Sequence, residues 1–245
     1  MIWTQESAAL LARAYRCGGA ADMLAERIVP ELAAGARICD AGCGVGALSL
    51  ALAKRGFRVT ALDISETALA QLRMEKEAGG VDVRCEDART HTPPEPYDAM
   101  VFSFFGSMEE CLAMAQRCCR GEVFYISRAY DKHRFSVGDH PVTYRGYRQA
   151  CELLDEMGVP YACGELALDM GQPFECLDEA RRFFELYSRD DPALITDEFL
   201  MSRLVRTQDT RYPLYLPHMR RAGMVRFRVK DIPRGLRMTG IENNA

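Results

Sequence analysis

Residues 37–65 read RICDAGCGVG ALSLALAKRG FRVTALDIS. The run from Arg37 is a short apolar strand that breaks into glycines, ALSLALAKRG has the composition of a helix ended by Gly56, and FRVTALDIS is a second strand. Ser65 can cap a further helix to about Ala78, the pair Gly79-Gly80 stops it, and VDVRCEDA (81–88) reads as a third strand. Strands alternating with helices of about 10 to 15 residues predict right-handed crossovers and a parallel sheet covered on both faces.

Working outward, a helix is predicted after Thr4 and another from Ala20 to Leu32, divided by Cys17-Gly18-Gly19. Downstream of Pro93, Pro94 and Pro96, YDAMVFSFFG (97–106) and EVFYIS (122–127) read as strands four and five around the helix MEECLAMAQRCC. Past Ser127 the rhythm weakens. Helices are predicted over Tyr144–Met157, Leu177–Tyr187 and Asp197–Thr207, with strands at Tyr161–Leu168 and Met224–Lys230. No repeat or linker divides the chain, so the expectation is a single domain over 1–245. Its parts are N-terminal helices (1–34), a cofactor-binding core (35–130) and a substrate and lid region (131–245), with a lid-like insertion at about 170–210.

The 245 residues (27.5 kDa) are 48% hydrophobic and 27% charged, with mean hydropathy −0.18, which excludes disordered and fibrous classes. The longest apolar stretch, Ala99–Met108, is far short of the roughly 20 residues of a membrane span. MIWTQESAALLARAYRC lacks a secretory pattern, so the expectation is a cytoplasmic protein. The ten cysteines lack C-x-x-C pairs and read as reduced core residues, with no structural metal implied. Net charge is −4, but thirteen acids face three arginines between Cys151 and Leu200, while ten basic residues face Asp209 and Asp231 from Arg203 to Arg237.

The chemistry concentrates at Asp40-Ala41-Gly42-Cys43-Gly44-Val45-Gly46. Glycines between a strand and a helix permit a tight turn and let a ligand approach bare backbone beside the positive end of the helix. Gly42-x-Gly44-x-x-Ala47 also satisfies a relaxed dinucleotide fingerprint, with Asp63 placed for a ribose hydroxyl, so an NAD-dependent oxidoreductase is an alternative. A carboxylate at the mouth of the loop opposes a pyrophosphate: two unit charges about 4 Å apart interact by roughly 4 kcal/mol at an effective dielectric of 20. A ligand carrying a cation and no phosphate there fits better, which describes the amino end of S-adenosylmethionine.

Over roughly residues 35–130 the chain resembles the class I S-adenosylmethionine-dependent methyltransferases. Their first motif, an acid followed by G-x-G-x-G, appears as Asp40, Gly42, Gly44 and Gly46, with Cys43 inside it. The acid ending strand two matches Asp63, with Ile64 as the apolar neighbour of adenine. The acid ending strand three matches Asp87 followed by Ala88, where the family binds the adenine amino group. The Tyr97-Asp98-Ala99 entry to strand four is also similar. The resemblance implies S-adenosylmethionine as cofactor and a Rossmann-like, doubly wound α/β fold: a mostly parallel seven-stranded sheet with helices on both faces and a C-terminal antiparallel strand.

Methyl transfer from a sulfonium asks the protein mainly to align the acceptor, so catalytic signatures are scarce. Tyr130 and His133 are weak candidates for a base, with His140 further along. Phe102, Phe104 and Phe105 are candidate pocket residues, Phe102 being placed at the cofactor; Trp3 and Tyr15 are candidate lid aromatics. The strand-four sequence Phe102-Ser103-Phe104-Phe105-Gly106 lacks the Asn/Asp-Pro-Pro-aromatic motif of enzymes that methylate exocyclic amines, and no carboxylate set implies magnesium. The expected acceptor is a small molecule. A cofactor-binding protein without turnover is an alternative, as is an RNA methyltransferase. Against RNA, Arg226, Arg228 and Lys230 alternate with Val225, Phe227 and Val229 as ordinary strand patterning, without interleaved aromatics on the polar face.

Overall fold

The computed structural model describes residues 3–75, 79–129, 135–141 and 146–233. Helix α1 (Gln5–Gly18) opens with a capping box: the Ser7 amide donates to Thr4 Oγ1 (3.1 Å) and the Thr4 amide donates to Ser7 Oγ (2.9 Å). Gly19 ends it, and α2 (Ala20–Ile28) follows. Pro30 sits in a single 3₁₀ turn, so α2 stops short of the predicted Leu32.

The βα rhythm appears as read: β1 (Arg37–Ala41), α3 (Ala47–Ala53), β2 (Arg58–Asp63), α4 (Glu66–Arg73), β3 (Val81–Cys85), β4 (Tyr97–Ser103), α5 (Met108–Cys118) and β5 (Cys119–Arg128). Ser65 caps α4 by accepting from the Ala68 amide at 3.2 Å. The predicted end of that helix, at Ala78, lies outside the described residues. Next come α6 (Tyr147–Glu156), β6 (Tyr161–Asp169) and β10 (Met219–Arg228). Strand order is β3-β2-β1-β4-β5-β10-β6, with β1 to β5 parallel and β10 antiparallel to both neighbours. This is the expected seven-stranded sheet.

Alternation along β1 divides the core. Cys39 and Ala41 join the cluster that holds Met100, Phe102, Tyr125 and the buried side of α5, while Ile38 packs with Leu24, Leu48, Leu52 and Phe124 on the other face. Burial of rings such as Phe102 and Phe124, each fully excluded from water, contributes about 1.5 to 3 kcal/mol apiece.

Two predictions change. Helix α8 (Asp197–Arg203) is shorter than read, because Val205–Arg206 leaves it as a strand, β8. Strand β10 starts at Met219, five residues ahead of its apolar alternation, since pairing with β6 extends it. Between β6 and β10 lie β7 (Gln172–Phe174), α7 (Leu177–Tyr187), α8, β8 and β9 (Leu214–Leu216). Their second sheet, β7-β9-β8, is antiparallel and was not foreseen. Phe174, Phe183, Phe184, Ile195, Leu200 and Leu214 form its core, to which α1 adds Leu10.

Candidate functional site

Strand order reverses between β1 and β4, and in open α/β sheets ligands bind beyond the carboxyl ends of strands at such a point. The glycine loop lies there. Gly42, Gly44 and Gly46 hold φ of +70, +56 and +70, the left-handed region that a side chain opposes. A Cβ on Gly42 would stand 2.1 Å from the Phe105 ring, and one on Gly44 would stand 3.1 Å from Trp3 Cζ2. The loop is therefore covered by aromatic side chains from the chain itself.

Asp40 is placed differently from the sequence expectation. It does not stand at an open mouth: it is 1% exposed, beneath the loop and against α3. The Ser49 hydroxyl donates to Oδ2 at 2.6 Å, while Oδ1 is buried with no hydrogen-bond partner among the described residues. Burial pushes the carboxyl up from 3.8 to about 6, the Ser49 hydrogen bond pulls it back, and Asp63 adds to the rise. An orphaned carboxylate oxygen under a glycine loop suits a cationic ligand group.

Asp63 ends β2 and ties the loop down: its Oδ2 accepts from the Gly44 amide at 2.8 Å and its Oδ1 from the Ser65 amide at 2.9 Å. Each oxygen retains a lone pair for a hydroxyl. Beside it, Ile64 is 67% exposed, a bare apolar surface next to an acid. Asp87 accepts from the Arg89 amide (2.9 Å) through Oδ1, and its carbonyl accepts from the Thr90 and His91 amides, so it shapes a turn. Its neighbour Glu86 is turned toward His91 Nδ1 (2.8 Å), and Ala88 is buried. Burial raises the Cys43 thiol well above its usual range, which leaves it a packing residue.

The three phenylalanines part company. Phe102 is fully buried in the core, which removes its side chain from any pocket. Phe104 packs on the α1–α3 face and Phe105 on the α5 face. Tyr130 and His133 lie outside the described residues. The Asp190 Oδ1 accepts from His140 Nε2 at 2.5 Å, and Asp190 also accepts from the Val137 and Gly138 amides, which fastens segment 135–141 to the end of α7. Sequence reading placed Arg220 only in the basic stretch 203–237, weighed as an RNA-binding face; its guanidinium lies over Phe104, a contact with no local signal. Among the described residues no group of three or more His, Cys, Asp or Glu is arranged to hold a metal ion, and no helix is long and apolar enough to cross a membrane.

Residues 172–216 and α1 are joined. Arg13 Nη1 donates to Glu179 Oε1 and Oε2, both 2.9 Å, and to the Pro173 carbonyl at 3.1 Å, while Arg182 pairs with Glu6. Trp3, Leu11 and Tyr15 of this end of the chain pack with Val45 of the glycine loop. A shallow cleft of about 300 Å³ between Glu31, Ala36, Arg58 and Glu122 lies at the opposite, amino end of the strands.

Residues 38–121 match the family model of a methyltransferase domain. A ubiquinone biosynthesis O-methyltransferase of Pseudomonas entomophila is 38% identical over 71 residues, 27% of this chain and 31% of that protein. A trans-aconitate 2-methyltransferase of Streptomyces avermitilis is 43% identical over 94 residues, 36% of this chain and 34% of that protein. The chain thus spans only about a third of the length of these relatives. An antibiotic-biosynthesis-pathway protein of Anabaena variabilis shares the fold, with TM-score 0.55 at 15% identity over 86% of this chain and 98% of that one. The matched residues run from β1 into the start of β5, the segment that carries the glycine loop and its acids, and over that segment the chain is similar to methyltransferase domains.

Proposed function

We propose that this chain is an enzyme that binds S-adenosylmethionine at the carboxyl ends of β1, β2 and β3 and moves its methyl group to a small-molecule acceptor. The observation that carries this is Oδ1 of Asp40, buried without a hydrogen-bond partner among the described residues beneath a loop of left-handed glycines. When bound, the cofactor supplies an activated methyl group on a sulfonium. Asp40 would take its ammonium group, Asp63 the ribose hydroxyls, and Ile64 and Ala88 the adenine, with Asp87 accepting from the adenine amino group. What remains for the protein is to exclude water and hold the acceptor in line, positioning that can be worth roughly 7 to 11 kcal/mol.

The lid region, 172–216, together with α1, would form the acceptor's walls within a single domain. The relatives named above act on unlike acceptors, a quinone precursor pathway in one and trans-aconitate in another, which fits a family whose cofactor half is shared and whose remainder differs. The free cysteines fit the reducing cytoplasm in which we place the protein. Calorimetry with S-adenosylmethionine, S-adenosylhomocysteine and NAD tests the reading. Binding of the first two and not of NAD is expected; NAD binding with no affinity for the others would refute it.

A further inference from the structure

Strand β10 carries four arginines, and three have carboxylate partners. Arg221 pairs with Glu165, Arg226 with Glu31 and Glu122, and Arg228 with Glu122. Arg220 pairs with no carboxylate among the described residues, and its Nε is buried without a hydrogen-bond partner. Its guanidinium carbon stands 3.6 Å from the centroid of the Phe104 ring. Phe104 is itself unusual: among the described residues it is the one non-glycine with positive φ, +55, and its amide is fastened to the Ile126 carbonyl at 2.8 Å. That backbone, costly for a phenylalanine, turns two successive rings to opposite faces of the sheet, Phe105 against Gly42 and Phe104 beneath Arg220.

Register fixes where this happens. Ala222 is level with Arg128 at the carboxyl end of β5, and Arg220 is level with Leu168 near the end of β6. Because β10 runs antiparallel, its first residues reach the same end of the sheet as the glycine loop. Tyr15 lies within the field of both charged groups: burial raises its phenol, Arg220 lowers it and Asp40 raises it again. Tyr15 is thus near both an arginine that has no carboxylate partner among the described residues and the buried carboxyl of Asp40.

We propose that Arg220 is an anion-recognition residue that holds a carboxylate in the methyl-transfer site, an assignment that rests on the function proposed above. Arginine stays charged, its guanidinium is held over the Phe104 ring, and it has no carboxylate partner among the described residues, so its donors can grip a carboxylate with two parallel hydrogen bonds. A carboxylate can come from two sources, the methionyl end of the cofactor or the acceptor.

The test compares the intact wild-type chain with Arg220→Met and Arg220→Lys, each checked for folding by circular dichroism. S-adenosylhomocysteine and decarboxylated S-adenosylmethionine are titrated by calorimetry, and thermal stabilisation by benzoate and by trans-aconitate is measured with S-adenosylhomocysteine present. If Arg220 meets the cofactor, Arg220→Met weakens S-adenosylhomocysteine at least tenfold and leaves the decarboxylated ligand unchanged. If it meets the acceptor, both nucleosides bind as before, and stabilisation by a carboxylate is seen in the wild type and lost in Arg220→Met. Arg220→Lys, which keeps charge without the fork, recovers part of either loss, and decides the matter should Arg220→Met not fold. Equal nucleoside affinity in wild type and variants, with no carboxylate stabilising the wild type more than the variants, overturns the assignment. Failure of the wild type to bind S-adenosylhomocysteine refutes instead the methyltransferase reading, and the carboxylate site falls with it.

Discussion

The Ser49 hydroxyl donates 2.6 Å to Oδ2 of Asp40 and leaves Oδ1, on the same carboxyl, buried and alone. Hydrogen bonding from Ser49 does not offset the desolvation of the carboxylate, which is why the group stays protonated up to about pH 6. The ligand-free protein carries this as a standing cost, and a cationic ligand removes it.

Asp40→Asn is accordingly expected to stabilise the ligand-free protein at neutral and alkaline pH. The folded pKa is raised above 3.8, so there is no penalty below pH 4, it grows as pH rises through about 6, and above that it approaches roughly 3 kcal/mol, less the cost of an unpaired amide. A melting temperature about 2 to 4 °C above wild type at pH 8, with little difference at pH 4, is expected. In the same variant S-adenosylmethionine should bind more weakly, and wild-type affinity should climb between pH 5 and pH 7 as Asp40 ionises. A flat pH profile for the wild type, measured by calorimetry, would contradict the ammonium assignment.

Asp63→Ala removes the acceptor of the Gly44 and Ser65 amides together with the proposed ribose contact. Hydrogen bonds to a charged acceptor are worth about 1.5 to 3 kcal/mol, so affinity for S-adenosylhomocysteine should drop roughly tenfold or more. Unchanged affinity in a folded variant would return Asp63 to a purely structural role.

Arg13 and Glu179 couple α1 to residues 172–216 through a shielded contact in which one guanidinium nitrogen meets both carboxylate oxygens, with side chains 14% and 13% exposed. Arg13→Ala should cost about 2 to 3 kcal/mol in stability and open residues 172–216 to proteolysis, since one charge is left half-buried and unpaired. In the wild type, cofactor should slow hydrogen exchange in α1 and in this region together. Protection that is equal with and without cofactor would make them passive scaffold.

Four of the ten basic residues of the C-terminal stretch meet carboxylates among the described residues: Arg211 approaches Glu175, Arg221 pairs with Glu165, Arg226 with Glu31 and Glu122, and Arg228 with Glu122. RNA should bind no tighter than the roughly 10⁻⁴ to 10⁻⁶ M of nonspecific contacts at physiological salt. Submicromolar binding with a steep salt slope in a filter assay, abolished by Arg226→Glu with Arg228→Glu, would point to a nucleic-acid acceptor.

The sequence by itself determined the parallel half of the sheet, because its signals are local: short apolar runs at β1 and β2, caps at Thr4 and Ser65, and glycines where the chain turns from strand to helix. It also singled out Asp40 and Asp63 as the loop's acids. Only tertiary structure decided what those residues face. That Asp40 is sealed under the loop depends on α3 packing across it, and that Phe102 is core while Phe104 and Phe105 diverge depends on one left-handed residue. The sheet β7-β9-β8 joins strands of two or three residues, Gln172 opposite Leu216, too short and too distant in sequence for periodicity to register. The basic stretch showed Arg220 only as one charge among ten: that its neighbours have carboxylate partners and it has none among the described residues is decided by pairing across distant strands, a property of the folded chain alone.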